Sequence, residues 1–198
     1  MARVPSLGLT GGLGAGKSTA LAALERLGAA TLSTDAVVHE LYGTPEVRDA
    51  VVARWGASVA PDGVVDRAAV AARAFAAPEE RAWLEGELWP RVARQVAAWL
   101  QEVGERRPAP TAAVVETPLL FEAGMDGAYD ATVAVIADEE VRAVRAAARG
   151  HVAADERAAR QLPQDEKARR ATFVVDNSGT KAELEDQLSA ILGRLRPS

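Results

Sequence analysis

The sequence predicts an α/β fold built on a parallel five-stranded sheet. Three observations carry this: short β-branched runs alternate with helical stretches, the first strand enters a glycine-rich loop, and the strands are unevenly spaced. Val4 to Thr10 is a short apolar run, as a strand buried on both faces requires. Ser18 to Leu27 then sets Leu21, Leu24 and Leu27 on one helical face. Ala29 to Ser33, Thr111 to Glu116 and Ala131 to Ile136 supply three further strands, and Val174 and Val175 begin a fifth. Residues 36–55, 66–103, 139–160 and 181–195 are rich in Ala, Arg and Glu with helical periodicity. Roughly eighty residues separate the second strand from the third, where a crossover needs about a dozen, so a helical insertion is expected at 36–109, closed by the turn-prone RRPAP. The sheet core then comprises approximately 1–35, 110–138 and 172–198. An arginine-dense excursion at 139–171, broken by Gly150 and Pro163, reads as a helical lid.

Composition limits the function classes. With 198 residues, 48% of them hydrophobic, the chain can bury one core with insertions. A net charge of -5 argues against a broad nucleic-acid footprint, so no nucleic-acid partner is expected. The absence of cysteine rules out disulfides and thiolate metal sites. No apolar run approaches a membrane span, and the start leaves no room for a signal peptide, so a cytoplasmic protein without a membrane partner is expected, as a monomer or weak homo-oligomer.

Gly11 to Ser18, GGLGAGKS, fills the pattern G-x-x-x-x-G-K-[ST] between a strand and a helix. Glycines allow positive φ and bring backbone N–H groups up to phosphate oxygens. Gly12, Gly14, Ala15, Gly16, Lys17, Ser18 and Thr19 are the expected nucleotide-binding residues, with Lys17 bridging the β and γ phosphates and Ser18 as the Mg²⁺ ligand; ATP and Mg²⁺ are the expected cofactors. A switch GTPase would need an NKxD-like motif, which the sequence lacks. Asp35 follows the second strand, where it either meets the γ phosphate or a substrate hydroxyl, or caps the helix beginning at 36. Glu116, ending the third strand, resembles a Walker B acid or is a plain strand-end residue. Arg142, Arg145 and Arg149 share a helix face, and Arg157 and Gln161 form a later i, i+4 pair. Such cations can neutralise a triphosphate or simply face solvent. His39 and His151 read as exposed bystanders, Asp126 and Asp130 as turn residues, and the four tryptophans as core of the insertion.

Taken in order, LTGGLGAGKST, STDAVVHELY, VDRAAVAARAFAAPEERAWLE, TPLLFEAG and RAARQLPQDEKARRATFVVDNSG resemble the dephospho-coenzyme A kinase family over nearly the whole length. The resemblance implies a P-loop NTPase core with a helical substrate-binding insertion and a helical lid. It also implies ATP-dependent phosphorylation of the ribose 3′-hydroxyl of dephospho-coenzyme A, the small-molecule substrate. Asp35 then matches the base, Lys17, Arg145 and Arg149 the other catalytic positions, and Asn177 the segment near the adenine. Arg67 and Arg73 match substrate-domain arginines, Arg157, Gln161 and Lys167 lid positions, and Asp35, Glu116, Arg157 and Gln161 join them in the expected acceptor-binding set. Two departures stand out: Ser33 occupies the first acid of an Asp-Ala-Asp, and Trp89 stands where the family commonly has His before Pro.

Overall fold

The structure is a computed structural model describing residues 3–147 and 161–195. It has a five-stranded sheet in the order β2-β3-β1-β4-β5, comprising β1 (Ser6–Gly11), β2 (Ala30–Ser33), β3 (Ala113–Glu116), β4 (Ala131–Ile136) and β5 (Phe173–Asp176). All neighbours pair in parallel, with Leu9 opposite Glu116 on one side and Val133 on the other. Every residue of β1 is buried, as expected for the central strand, whereas β2 and β5 at the edges are partly exposed. Alternate residues Leu7, Leu9, Val114, Val133 and Val135 point to one face. There they pack against Ala20 and Leu24 of α1 (Lys17–Arg26) and Leu184 and Leu188 of the C-terminal helix. On the other face the Tyr129 ring lies against Gly8, whose missing side chain makes the room.

The chain divides into two units. One contains residues 3–33, 100–147 and 161–195; the other is the contiguous Thr34–Trp99. The second unit is helical: α2 (Thr34–Tyr42), α3 (Pro45–Trp55), α4 (Arg67–Ala74) and most of α5 (Pro78–Glu105). The helical stretch expected at 36–55 is broken at Gly43, and Thr44 caps α3 by accepting from the Val47 N–H while Pro45 occupies the first turn. Asp66 caps α4. The core here is Val51, Val59 and Val70 with Trp55 and Trp83, whose rings meet edge to face at 5.0 Å. Trp89 does not join that core: it is 46% exposed on α5 beside Pro90, contrary to the expectation for all four tryptophans. Arg67 meets His39 at 3.0 Å, so this histidine has a partner.

In the first unit, α6 (Glu139–Ala147) follows β4, α7 (Gln164–Arg170) precedes β5 and α8 (Lys181–Leu195) follows β5. Arg149, Arg157 and His151 lie outside the described residues. No described helix is long and apolar enough to cross a membrane.

Candidate active site

The glycine loop leaves the carboxyl end of the central strand and turns directly into α1. Gly14 has φ 74° and Gly16 φ 91°, both in the left-handed region where a side chain is strained. A side chain would also collide with the Arg142 carbonyl at Gly14 and with the Asn177 amide at Gly16. Gly12 has no positive φ; its bareness accommodates the Arg142 guanidinium, whose nearest nitrogen would be 3.3 Å from a Cβ there. The loop's backbone N–H groups and the start of α1 together form a cradle suited to phosphate.

Lys17 Nζ donates to the carbonyls of Gly11 (3.0 Å) and Gly12 (3.2 Å), so the ammonium lies over the first half of the loop. Ser18 and Thr19 fall in the first turn of α1, with Ser18 exposed. Asn177, 3% exposed just after β5, braces the loop from the far side: its Nδ2 donates to the Ala15 carbonyl at 2.8 Å. Arg145 donates to the Asn177 carbonyl at 3.0 Å. Arg142 and Gln161 line a cavity of about 340 Å³ with Gly12, Leu13, Glu139 and the start of α7. Of the residues that the sequence pattern singles out, Gly12, Gly14 to Thr19, Asn177, Arg145 and Gln161 lie in the first unit. The pattern did not single out Arg142 from its helix face, although the close approach of two glycines explains the residue's placement.

Glu116 is 8% exposed and accepts from the Ser33 hydroxyl at 2.7 Å across neighbouring strands. The serine that replaces the first acid of the family pattern therefore serves as a donor to the strand-end carboxylate. Asp35 lies two residues further on, in the first turn of α2, and is exposed. Arg67 begins α4 and Arg73 lies in its last turn, both exposed.

Lys167, on α7, is fully buried. Its Nζ donates to the Pro118 carbonyl at 2.6 Å and the Thr10 hydroxyl at 3.3 Å, and pairs with Glu122 at 2.9 Å. Burial pulls its pKa below the usual lysine value, opposed by the Glu122 carboxylate and the Glu116 charge. Glu122 also accepts from the Leu162 N–H at 2.7 Å. Among the described residues no cluster of three or more His, Asp or Glu side chains could hold a metal unaided.

The family model for dephospho-CoA kinase matches residues 6–183. This chain belongs to the dephospho-CoA kinase family. A dephospho-CoA kinase from Geobacter metallireducens is 41% identical over 191 residues, covering 93% of this chain and 94% of that protein. One from Deinococcus radiodurans is 40% identical, covering 96% and 91%. The crystal structure of TT1252 from Thermus thermophilus superposes with TM-score 0.80 at 33% identity, covering 99% of this chain and 100% of that one. A dephospho-CoA kinase from Campylobacter jejuni (20% identical, TM-score 0.70) and a shikimate kinase from Bacteroides thetaiotaomicron (16%, 0.53) share the P-loop kinase fold.

Proposed function

We propose that this protein transfers the γ-phosphoryl group of ATP to the ribose 3′-hydroxyl of dephospho-coenzyme A, giving coenzyme A and ADP, the last step of that cofactor's synthesis. The observation that carries the reading is the family match over residues 6–183, which includes the phosphate loop. The loop amides and Lys17 bind the β and γ phosphates, Asn177 and Arg145 secure the far end of the loop, and Arg149 and Arg157 supply further positive charge from 139–171. Arg67, Arg73, Glu116 and Gln161 bind and orient the acceptor.

As the 3′-oxygen attacks phosphorus, its bond to the γ phosphorus forms, the bond to the β,γ-bridging oxygen breaks, and the hydroxyl proton passes to the Asp35 carboxylate. This role for Asp35 rests on its family match and its place just beyond β2. The exposed Ser18 hydroxyl on the first turn of α1 is a hard oxygen donor that fits Mg²⁺, and the phosphates themselves complete such a site. When bound, Mg²⁺ neutralises phosphate charge and holds the donor in line.

An acceptor panel with ATP and Mg²⁺ tests the reading. Stoichiometric 3′-phosphorylation of dephospho-coenzyme A is expected. Vigorous phosphorylation of nucleoside monophosphates with dephospho-coenzyme A inert would overturn it.

A further inference from the structure

Two cations converge on Gly12. Lys17 Nζ is 3.2 Å from its carbonyl, and the Arg142 guanidinium covers the face where a side chain would stand. Three guanidinium atoms of Arg142 lie 3.3, 3.6 and 3.7 Å from a Cβ built on Gly12, so the group faces that residue broadside rather than end on. Its Nε donates to the Leu13 carbonyl at 3.1 Å, the one polar partner of this side chain among the described residues. A guanidinium carries five N–H donors, so the remaining four are available to a ligand. They sit at the edge of the cavity lined by Gly12, Leu13 and Gln161. Glu139 and Asp165 line the same cavity, yet neither forms an ion pair with Arg142.

The end of the loop that Arg142 occupies is informative. In a phosphate loop the lysine reaches the β and γ phosphates. Lys17 Nζ lies at Gly11 and Gly12, which marks this as the end of the loop that faces the β and γ phosphates. Arg145, one turn later on α6, goes elsewhere: it bonds Asn177 and approaches Gly16. The two arginines therefore divide the loop: Arg142 stands beside Lys17 at Gly12, and Arg145 stands at the Gly16 end.

We infer that Arg142 grips the transferred γ-phosphoryl group, a catalytic arginine supplied from within the chain. This rests on the kinase reading above. Arg142 gains or loses no proton in the step; its fixed donors stabilise charge on the equatorial oxygens while the bridging bond breaks.

Affinities for ADP and for the non-hydrolysable β,γ-imido analogue of ATP, measured by calorimetry without acceptor, test it in R142A and R142Q. The Gln variant keeps a donor for the Leu13 carbonyl. Loss of about tenfold or more for the γ-containing analogue, with ADP within about twofold and kcat down about a hundredfold or more, is expected for both. Equal weakening of both nucleotides would reduce Arg142 to a brace for the loop, and unchanged affinities would make it a spectator; either result overturns the inference. Wild-type turnover of dephospho-coenzyme A, run in parallel, separates this from the acceptor reading: a γ-selective loss in an enzyme that ignores dephospho-coenzyme A sinks only the acceptor.

Discussion

Glycines that look alike in the motif differ in what requires them. Gly16 needs both its positive φ and the space taken by the Asn177 amide, whereas Gly12 needs only space. Gly16→Ala is therefore expected to displace Asn177 and weaken ATP binding at least tenfold in calorimetry, since backbone strain there costs about 1–3 kcal/mol. The pattern made these positions legible; which side chain fills each gap was not, because the partners come from β5's end and α6, over a hundred residues away in sequence. Asp35 was legible as a strand-end acid, but its cap and base readings could not be separated by sequence alone. Asp35→Asn is expected to keep ATP affinity and lower kcat by about 10²- to 10⁴-fold, while Lys17→Ala damages both. Near-normal kcat in Asp35→Asn would remove the base assignment.

At the level of elements, periodicity recovered β4 and α8 with the observed limits, and misplaced breaks elsewhere. The break at Gly43 was missed although Thr44, Pro45 and Glu46 form a recognisable helix start; a continuous run of helix formers on both sides masked it. The start of α8 shows a reciprocal capping box. The Thr180 hydroxyl accepts from the Glu183 N–H at 3.2 Å, and the Glu183 carboxylate accepts from the Thr180 N–H at 2.7 Å. Those Thr180 bonds hold the Glu183 carboxyl below its usual pKa. Thr180→Ala is expected to cost about 1 kcal/mol in urea denaturation, because α8 covers one face of the sheet through Leu184 and Leu188. An unchanged midpoint would show that water replaces the cap without loss.

For the whole molecule, Asp130 proves more than a turn residue. It accepts from the Ser6 N–H and hydroxyl, each at 2.8 Å, and from Arg3, tying the start of β1 to the entry of β4. Burial raises its pKa, but the Ser6 bonds and the Arg3 charge outweigh it and hold the carboxyl below the usual aspartate value. Its stabilisation is thus complete above that usual range and disappears as pH falls through the lowered native value. Asp130→Asn is expected to lose about 1 kcal/mol near neutrality, with a flatter loss of stability on acidification than the wild type in urea titrations between pH 6 and pH 3. Parallel acid limbs in the two proteins would refute the link. The long gap between β2 and β3 was legible as extra helical structure, and α2 to α5 occupy it.

The buried Lys167 has a practical consequence. The chain has only three lysines, Lys17, Lys167 and Lys181. They occupy the phosphate loop, the interior and the exposed start of α8. An amine-acylating reagent followed by mass spectrometry therefore meets a sensor, a silent site and an internal standard. Labelling at Lys181 should proceed regardless of ligand, that at Lys17 should fall when ATP is added, and that at Lys167 should rise only on unfolding. Occupancy and integrity would then be read from one sample without a single engineered tag.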